Sequence, residues 1–240
     1  LAFMGFAEVI MNLKTILNNI KICKTDILAF QPDVIIFIDY PGFNLRIAKW
    51  SKVLGFKNHY YISPQIWAWK ESRIKEIKRD IDKMYVILPF EKTFYEDKHH
   101  FPVSFVGHPL IDAIQAHPVI DDATFRKENQ LNNLPIIALL PGSRKQEITK
   151  MLSVMLSVAD DFKRYQFVIA GAPSQEYSFY QQFITSDNIK FLSNKTYDLL
   201  QHATAALVTS GTATLETALF KVPEVVCYKG NWISYQIAKR

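Results

Sequence analysis

Apolar and polar positions alternate along the chain in a way that predicts strands separated by helices. Apolar residues recur at helical spacing from Val9 to Ile20, and this predicted helix ends before Gln31 and Pro32. Residues 34–38 (VIIFI) then predict a strand that is buried on both faces, which is typical of parallel sheets. The other elements predicted for the first half are a helix at about 44–54, a strand at 59–62, a charged helix at 70–79 and strands at 84–88 and 105–106.

A second alternating series begins after residue 134. Its predicted strands lie at 136–140, 167–170, 189–192, 205–209 and 225–228, and its predicted helices lie near 146–163, 175–184, 196–202 and 212–220. Strands that alternate with helices imply βαβ units, and hence parallel sheets with helices on both faces. The sequence therefore predicts an α/β fold made of two Rossmann-like parallel-sheet domains.

The segment between the two series differs from both of them. Residues 115–134 are polar, contain Pro118 and interrupt the apolar rhythm, so they are the predicted linker. The predicted domains are therefore residues 1–114 and residues 135–240. The chain does not begin with Met, and residues 232–240 have the pattern of an unfinished amphipathic helix. Both domains are therefore expected to be shortened at their outer ends.

The composition narrows the class of protein. Of the 240 residues, 49% are hydrophobic and 21% are charged, which is enough apolar mass for folded domains and argues against disorder. Two Cys residues exclude a disulfide scaffold and a multi-Cys zinc site, and the His residues lack the spacing of metal ligands. No metal and no cofactor is therefore expected. No apolar run approaches the ~18 residues that a membrane-spanning helix needs.

The net charge of +5 favours anionic partners, which include nucleic acid, a membrane surface and phosphorylated small molecules. No recognisable nucleic-acid motif accompanies the charge, so nucleic acid is not an expected partner. In open α/β sheets, ligands bind beyond the carboxyl ends of the strands. The residues that directly follow the predicted strands are therefore the candidates for a site.

Asp39 follows the first predicted strand, within residues 38–44 (IDYPGFN). A carboxylate in this place can accept a proton from a bound hydroxyl. It can equally cap the next helix, although Asn44 is nearer the predicted helix start and suits the cap better. Position alone leaves both roles open.

Gly142, Ser143 and Arg144 follow the predicted strand 136–140. Glycine lets the backbone approach a ligand closely, and N–H groups at a helix start bind anions. The Arg144 guanidinium adds a fork for phosphate oxygens. The alternative is a plain strand-to-helix turn with a surface arginine.

Ser210, Gly211 and Thr212 follow the predicted strand 205–209 and open a helix with small residues. Such a helix start is a natural seat for a diphosphate. Glu216 lies four residues after Thr212, on the same helix face, where its carboxylate can accept both hydroxyls of a ribose. The alternative is an acid placed early in a helix to complement the helix dipole.

Two further loops at strand ends carry less specific signals. Trp67 and Trp69 precede a segment, residues 70–83, that has two more basic than acidic residues; this suits a membrane interface or an acyl-bearing ligand. The alternative is a core Trp pair beside a solvated helix. His108 follows the strand at 105–106, where an imidazole can contact a substrate phosphate or carry a proton. The alternative is a structural role in the turn.

Several blocks occur along the chain in the order of one known family. They are residues 4–9 (MGFAEV), 31–33 (QPD), 38–44 (IDYPGFN), 61–69 (YISPQIWAW), 88–91 (LPFE), 105–109 (FVGHP), 139–144 (LLPGSR) with 147–148 (EI), and 210–216 (SGTATLE). Together they resemble lipid-A-disaccharide synthase, a glycosyltransferase of the two-Rossmann-domain GT-B type. Some members carry an acidic residue where this chain has Gly42. The family's glycine-rich loop would precede Leu1, and its final helices would follow Arg240.

The resemblance implies an inverting transfer in lipid A biosynthesis in a Gram-negative bacterium. The donor would be UDP-2,3-diacylglucosamine, the acceptor 2,3-diacylglucosamine 1-phosphate, and the products the β-1,6-linked disaccharide 1-phosphate and UDP. Asp39 would be the base at the acceptor hydroxyl. The loops at 142–144 and 210–212 would stabilise the diphosphate, and Glu216 would hold the ribose. A cytoplasmic enzyme peripheral to an anionic inner membrane is expected.

Two other classes of function stay open at this point. Another GT-B enzyme that uses a UDP-sugar, such as an N-acetylglucosaminyl transferase or a UDP-sugar epimerase, would share the phosphate and ribose chemistry without needing residues 63–69. A non-catalytic, anion-binding fragment is the second class, because the glycine-rich loop expected before Leu1 is absent.

Overall fold

The structure is a computed structural model that describes residues 13–228. The motif at 4–9 and the predicted helix at 232–240 lie outside these residues. The chain divides into two compact units, Leu1–Pro109 and Leu110–Arg240. Each unit contains one parallel sheet, so the predicted α/β class with two parallel sheets is confirmed.

The first unit has a four-stranded parallel sheet in the order β1-β2-β3-β4. Its strands are β1 Val34–Ile38, β2 Lys57–Tyr61, β3 Lys83–Val86 and β4 Ser104–Phe105. Its helices are α1 Leu13–Phe30, α2 Pro41–Val53, α3 Ile74–Asp80 and α4 Pro89–Thr93, with a 3-10 turn at Glu71–Arg73 and a π-helical turn at Phe94–Lys98. All the strands predicted for this half are present, and α1 ends before Gln31 as expected.

The core of the first unit lies on one face of its sheet. Phe37 of β1 and Tyr60 of β2 pack there with Leu45, Ile47 of α2 and Ile77 of α3. The expectation that β1 is buried on both faces is wrong. Its alternate side chains, Ile36 and Ile38, are 56% and 57% exposed. Successive side chains point to opposite faces, and the core of this unit lies on the face of Phe37, opposite Ile36 and Ile38.

The second unit has a five-stranded parallel sheet in the order β7-β6-β5-β8-β9. Its strands are β5 Ile136–Leu140, β6 Gln166–Gly171, β7 Ile189–Ser193, β8 Ala203–Thr209 and β9 Glu224–Cys227. Its helices are α5 Pro109–Gln115, which begins at the boundary between the units, α6 Asp122–Glu128, α7 Lys145–Leu156, α8 Tyr177–Gln181, α9 Thr196–His202 and α10 Thr212–Leu219. The predicted alternation of strands and helices is confirmed here, and the strand bounds agree within two residues. The helices predicted near 146–163 and 175–184 are shorter than expected, at Lys145–Leu156 and Tyr177–Gln181.

Helices cover both faces of the second sheet, as the alternation predicts. Leu139 of β5 packs with Ile148 and Leu152 of α7 on one face. Ala138 of β5 packs with Leu199 of α9 on the other. Strands between two helical layers are apolar on both sides, which explains why β5 is a continuous apolar run.

The segment predicted as a linker, residues 115–134, contains helix α6. Phe125 of this helix is 1% exposed and belongs to the core of the second unit. Asp121 caps the helix by accepting a hydrogen bond from the N–H of Thr124 at 3.0 Å. The assignment of residues 115–134 as the linker between two domains stays a prediction; part of the segment packs into the second unit.

Within residues 13–228, no helix is both long enough and apolar enough to cross a bilayer. In the same part of the chain, no three His, Cys, Asp or Glu side chains are grouped as metal ligands would be.

Candidate active site

The loop after β1 holds Asp39 in an unusual backbone conformation. Asp39 and Tyr40 both have a φ of 45°, in the left-handed region. Two consecutive non-glycine residues there cost free energy, and such strain persists only where the surroundings enforce it. The Asp39 N–H donates to the carbonyl of Tyr61 in β2 at 3.1 Å, which anchors the loop to the neighbouring strand.

Two side chains hold the carbonyl groups of this loop. The Asn44 side-chain amide donates to the carbonyls of Ile38 at 3.0 Å and Asp39 at 2.6 Å. The Tyr60 hydroxyl also donates to the Asp39 carbonyl, at 2.5 Å. Tyr60 is fully buried, and burial raises the pKa of its hydroxyl far above the usual range, so the hydroxyl stays a donor. These bonds hold the loop backbone from which the Asp39 side chain projects.

The expected cap role of Asn44 is wrong. Helix α2 begins at Pro41, and Asn44 lies inside its first turn. Proline suits the first helical position because its φ is fixed and its missing N–H would have no helical partner there. The Asp39 side chain makes no hydrogen bond or ion pair within the described residues, and Asp39 is exposed. Its carboxylate is therefore accessible from solvent.

A buried carboxylate, Glu91, organises the next loops of the first unit. Its Oε1 accepts hydrogen bonds from the Ser63 hydroxyl at 2.6 Å and the Trp67 indole at 3.4 Å. Its Oε2 accepts from the N–H groups of Ile87 at 3.1 Å and Leu88 at 2.8 Å. Glu91 is 1% exposed, so these four donors replace the water that a charged carboxylate would otherwise require. The loop after β2 and the loop after β3 are thereby joined.

We expect Glu91→Gln to destabilise the first unit by about 3 kcal/mol. The side-chain NH2 group of Gln would face hydrogen-bond donors at the place where the buried carboxylate has an acceptor oxygen. Urea unfolding followed by circular dichroism measures this change. Asp97→Asn is the matched control: Asp97 is exposed in the following turn, and we expect a change within about 0.5 kcal/mol. Equal midpoints for the two variants would contradict the anchoring role.

The loop after β2 presents an aromatic and basic surface. Trp67, Trp69 and Phe90 are 37%, 61% and 49% exposed. The rings of Trp67 and Phe90 meet edge to face, with centroids 5.0 Å apart. Lys70 Nζ lies 4.4 Å from the Trp69 ring centroid, and the Arg73 guanidinium lies 5.6 Å from it. These five residues are called the aromatic–basic patch below. The alternative of a core Trp pair is wrong, because both indoles reach the surface.

Gly107, with a φ of 82°, follows β4 and turns the chain at the same edge of the sheet. His108 comes directly after it. The roles considered for His108, which are phosphate contact, proton transfer and support of the turn, stay predictions.

In the second unit, the predicted loops leave the sheet side by side. Strand β5 lies between β6 and β8, and Leu140 pairs with Val208 at the carboxyl ends of β5 and β8. The chain moves outward from β5 through β6 to β7 and then crosses back to β8 on the other side of β5. This reversal is the switch point at which open α/β sheets form a ligand crevice. The loops at 141–144 and 209–212 therefore meet there.

The first of these loops is shaped by Gly142. Its φ is 100°, and a Cβ at this position would overlap the carboxylate of Glu147. That carboxylate accepts from the N–H of Ser143 at 3.3 Å, and the Ser174 hydroxyl donates to the carbonyl of Ser143 at 2.9 Å. Helix α7 starts directly after Arg144. Arg144 is exposed and forms no ion pair within residues 13–228, so its guanidinium is available to an anion.

The second loop leads into α10. Gly211 precedes the helix, and the N–H groups of Thr212 and Ala213 at its start have no intrahelical acceptor. Ser210 is exposed and tied to β9 through its N–H, which donates to the Cys227 carbonyl at 3.1 Å. An anion at this position would meet free N–H groups and the positive end of the helix dipole.

Glu216 lies in the next turn of α10 and has a partner that the sequence did not suggest. The Tyr197 hydroxyl donates to Glu216 Oε1 at 2.8 Å. Burial first, and then the hydrogen bond and charge of Glu216, raise the pKa of Tyr197 to about 12. The phenol therefore remains protonated and serves as a donor to the carboxylate.

The structure thus brings the 142–144 and 210–212 loops together, and Asp39 belongs to the other unit. Sequence reasoning missed Tyr60, Glu91 and Tyr197. Of these three, only Glu91 had a signal in the sequence. Pro89 and Glu91 stand at the first and third positions of α4, which is typical of a helix start. A Glu at the third position accepts from the N–H of the residue before the helix, here Leu88.

Comparison with known proteins identifies close sequence relatives. The sequence model of the family described as lipid-A-disaccharide synthetase matches residues 1–240. The lipid-A-disaccharide synthase of Syntrophus aciditrophicus is 40% identical over 246 residues, which cover 100% of this chain and 64% of that protein. The enzyme of the same name from Idiomarina loihiensis is 41% identical over 251 residues, covering 100% and 65%. The chain therefore spans somewhat less than two thirds of the length of these relatives.

Solved structures of low sequence identity share the fold. A UDP-GlcNAc 2-epimerase from Neisseria meningitidis bound to UDP-GlcNAc is 12% identical, with a TM-score of 0.60 over 98% of this chain and 68% of that one. A UDP-GlcNAc 2-epimerase from Methanocaldococcus jannaschii is 13% identical, with a TM-score of 0.51 over 99% and 71%. These similarities concern the arrangement of helices and strands.

Proposed function

Because this chain belongs to the lipid-A-disaccharide synthetase family, we propose that its protein joins two acylated sugars in lipid A biosynthesis. The donor is UDP-2,3-diacylglucosamine and the acceptor is 2,3-diacylglucosamine 1-phosphate. The products are the β-1,6-linked disaccharide 1-phosphate and UDP. The observation that carries the proposal is the pair of anion-binding loops at the switch point of the second sheet, with Glu216 one turn below.

Asp39 is the general base of this reaction. The acceptor hydroxyl oxygen attacks the anomeric carbon of the donor and forms the new glycosidic bond. The bond between that carbon and the diphosphate oxygen breaks, and UDP leaves with the electron pair. The hydroxyl proton passes to the Asp39 carboxylate. A single displacement inverts the anomeric configuration and requires no covalent sugar–enzyme intermediate.

The second unit binds the leaving group. Negative charge grows on the diphosphate as the bond to the sugar breaks. Arg144, the Ser143 hydroxyl and the N–H groups that open α10 lie where that charge is expected, and preorganised donors of this kind stabilise a transition state strongly. Gly211 leaves room for close approach, and Gly142 keeps its loop in a left-handed turn beside Glu147. Ser210 and Thr212 add hydroxyl donors, and Glu216 accepts the ribose hydroxyls.

The test uses the protein as its gene encodes it. We expect UDP release and a disaccharide 1-phosphate, detected by mass spectrometry, when both sugars are diacylated. Unacylated UDP-N-acetylglucosamine should give no disaccharide. Turnover of the unacylated sugar instead, as a transferase or an epimerase, would contradict the proposed substrate class, and absence of turnover with either would contradict the proposed reaction.

Acylated substrates reside in a membrane, and the aromatic–basic patch suits its surface. Indole rings favour the boundary between headgroups and acyl chains, and lysine and arginine attract anionic headgroups. Trp67 and Trp69 are held at the surface beside Lys70 and Arg73. Peripheral attachment through this patch, on the cytoplasmic side of the inner membrane, is therefore part of the proposal.

We expect the double variant Trp67→Ala, Trp69→Ala to bind anionic liposomes at least about tenfold more weakly, because inserted indole area is lost. Sedimentation with phosphatidylglycerol vesicles measures the binding. The control is Phe162→Ala, which removes an aromatic side chain that is 51% exposed in the second unit. Unchanged binding of the double variant would rule out attachment through the patch.

A further inference from the structure

Tyr197 and Glu216 come from the two helices that precede and follow β8 along the chain. Tyr197 is the second residue of α9, which precedes the strand, and Glu216 lies in α10, which follows it. Because α9 follows β7 in a parallel sheet, its first turn lies at the carboxyl edge, where the anion-binding loops are. The hydrogen bond from Tyr197 to Glu216 Oε1, at 2.8 Å, therefore forms at this edge.

The phenol ring is held on two sides. His117 meets it edge to face with centroids 5.3 Å apart, and Phe220 packs against it at 5.2 Å. His117 is itself fixed, because its Nε2 lies 2.6 Å from Asp198 Oδ1. A ring supported in this way presents its hydroxyl in one direction. The Glu216 carboxylate thereby has a fixed donor on Oε1, and within residues 13–228 it forms no ion pair.

We propose that Tyr197 is a positioning residue that makes the nucleotide site selective for ribose. This rests on the proposed function, in which Glu216 accepts the ribose hydroxyls. A carboxylate has about four lone-pair positions. Tyr197 occupies one of them on Oε1 and turns the remainder toward the nucleotide, so that two hydroxyl donors of one ribose can be accepted together. Without the phenol hydroxyl, the carboxylate would sample several rotamers and bind the ribose less well.

The test compares two nucleotides in equilibrium binding, again in the protein as its gene encodes it. Tyr197→Phe keeps the ring and its contacts and removes only the hydroxyl. For UDP, we expect this variant to bind about tenfold more weakly than the unmodified protein, a typical effect for a hydrogen bond to a charged group. For 2′,3′-dideoxy-UDP, which lacks the ribose hydroxyls, we expect equal dissociation constants for both proteins. Isothermal titration calorimetry measures all four.

Companion variants separate the outcomes. Tyr165→Phe is the matched control, because Tyr165 is half-buried in the same unit and its hydroxyl makes no hydrogen bond within the described residues; we expect no change with either nucleotide. Glu216→Gln should weaken UDP binding and cancel any further effect of Tyr197→Phe. Equal weakening of both nucleotides by Tyr197→Phe would reveal a purely structural role and overturn the inference. If Glu216→Gln weakens UDP binding and Tyr197→Phe does not, the inference is overturned and the proposed function stands. If the unmodified protein does not bind UDP, both are overturned.

Discussion

Asp39→Asn should lower kcat for disaccharide formation by about 10²- to 10⁴-fold, the range for losing a general base. The amide has nearly the shape of the carboxylate and tolerates the left-handed backbone that Asp39 adopts. Its hydrogen bonds through the backbone should therefore persist. Because only the proton acceptor is lost, we expect little change in the KM for the UDP-sugar. Initial rates of UDP release measure both quantities.

Asp33→Asn is the control for the Asp39 variant. Asp33 is an exposed acid at the opposite end of β1, so its removal changes the charge by the same amount without touching the site. Rates within about threefold of the unmodified enzyme are expected for it. Asn44→Ala should lower kcat less than Asp39→Asn, and it should add nothing in an Asp39→Asn background, because it acts through that carboxylate. Retention of more than a tenth of the activity by Asp39→Asn would exclude it as the base.

Arg144→Ala should lower kcat/KM by about 10²- to 10³-fold, comparable to removing one donor from a preorganised anion site. The guanidinium is exposed and unpaired within residues 13–228, so its loss should not unfold the second unit. Arg144→Lys should recover only part of the activity, because an ammonium group keeps the charge and loses the planar fork. Steady-state kinetics with the diacylated donor and acceptor measure the change.

Lys150→Ala is the matched control for charge. Lys150 is an exposed cation farther along α7, and its removal should change kcat/KM less than about threefold, since exposed charges are screened by salt. A similar loss in both variants would mean that Arg144 acts through the general positive field of the protein and not through contact with the diphosphate.

The sequence predicted the elements well because their patterns are local. A strand between two helical layers is apolar throughout, as in β5, and α7 repeats apolar residues at helical spacing. The same local reasoning failed at α2, where both Pro41 and Asn44 are typical of helix starts. The structure starts the helix at Pro41. The Asn44 amide does not cap the helix, because it donates to the carbonyls of Ile38 and Asp39, which precede the helix.

The candidate site, too, has features that the sequence predicts and features that only the structure decides. Residues that follow strands can be identified from the chain alone, so the sequence by itself proposed Asp39, Arg144 and Glu216 as site candidates. The sequence could not tell whether Trp67 and Trp69 lie in a core, because exposure depends on what packs above a loop.

By itself, the sequence determined the two α/β halves, the positions of the strand ends and the family resemblance that the comparisons confirmed. Only the tertiary structure decided which groups meet: Glu91 with Ser63 and two backbone N–H groups, and Tyr197 with Glu216. The physical reason is the distance along the chain over which the interactions act. Helices and strands depend on residues that are close in the sequence. The donors to a buried carboxylate come from different elements that pack together, and no local pattern predicts which residues these are.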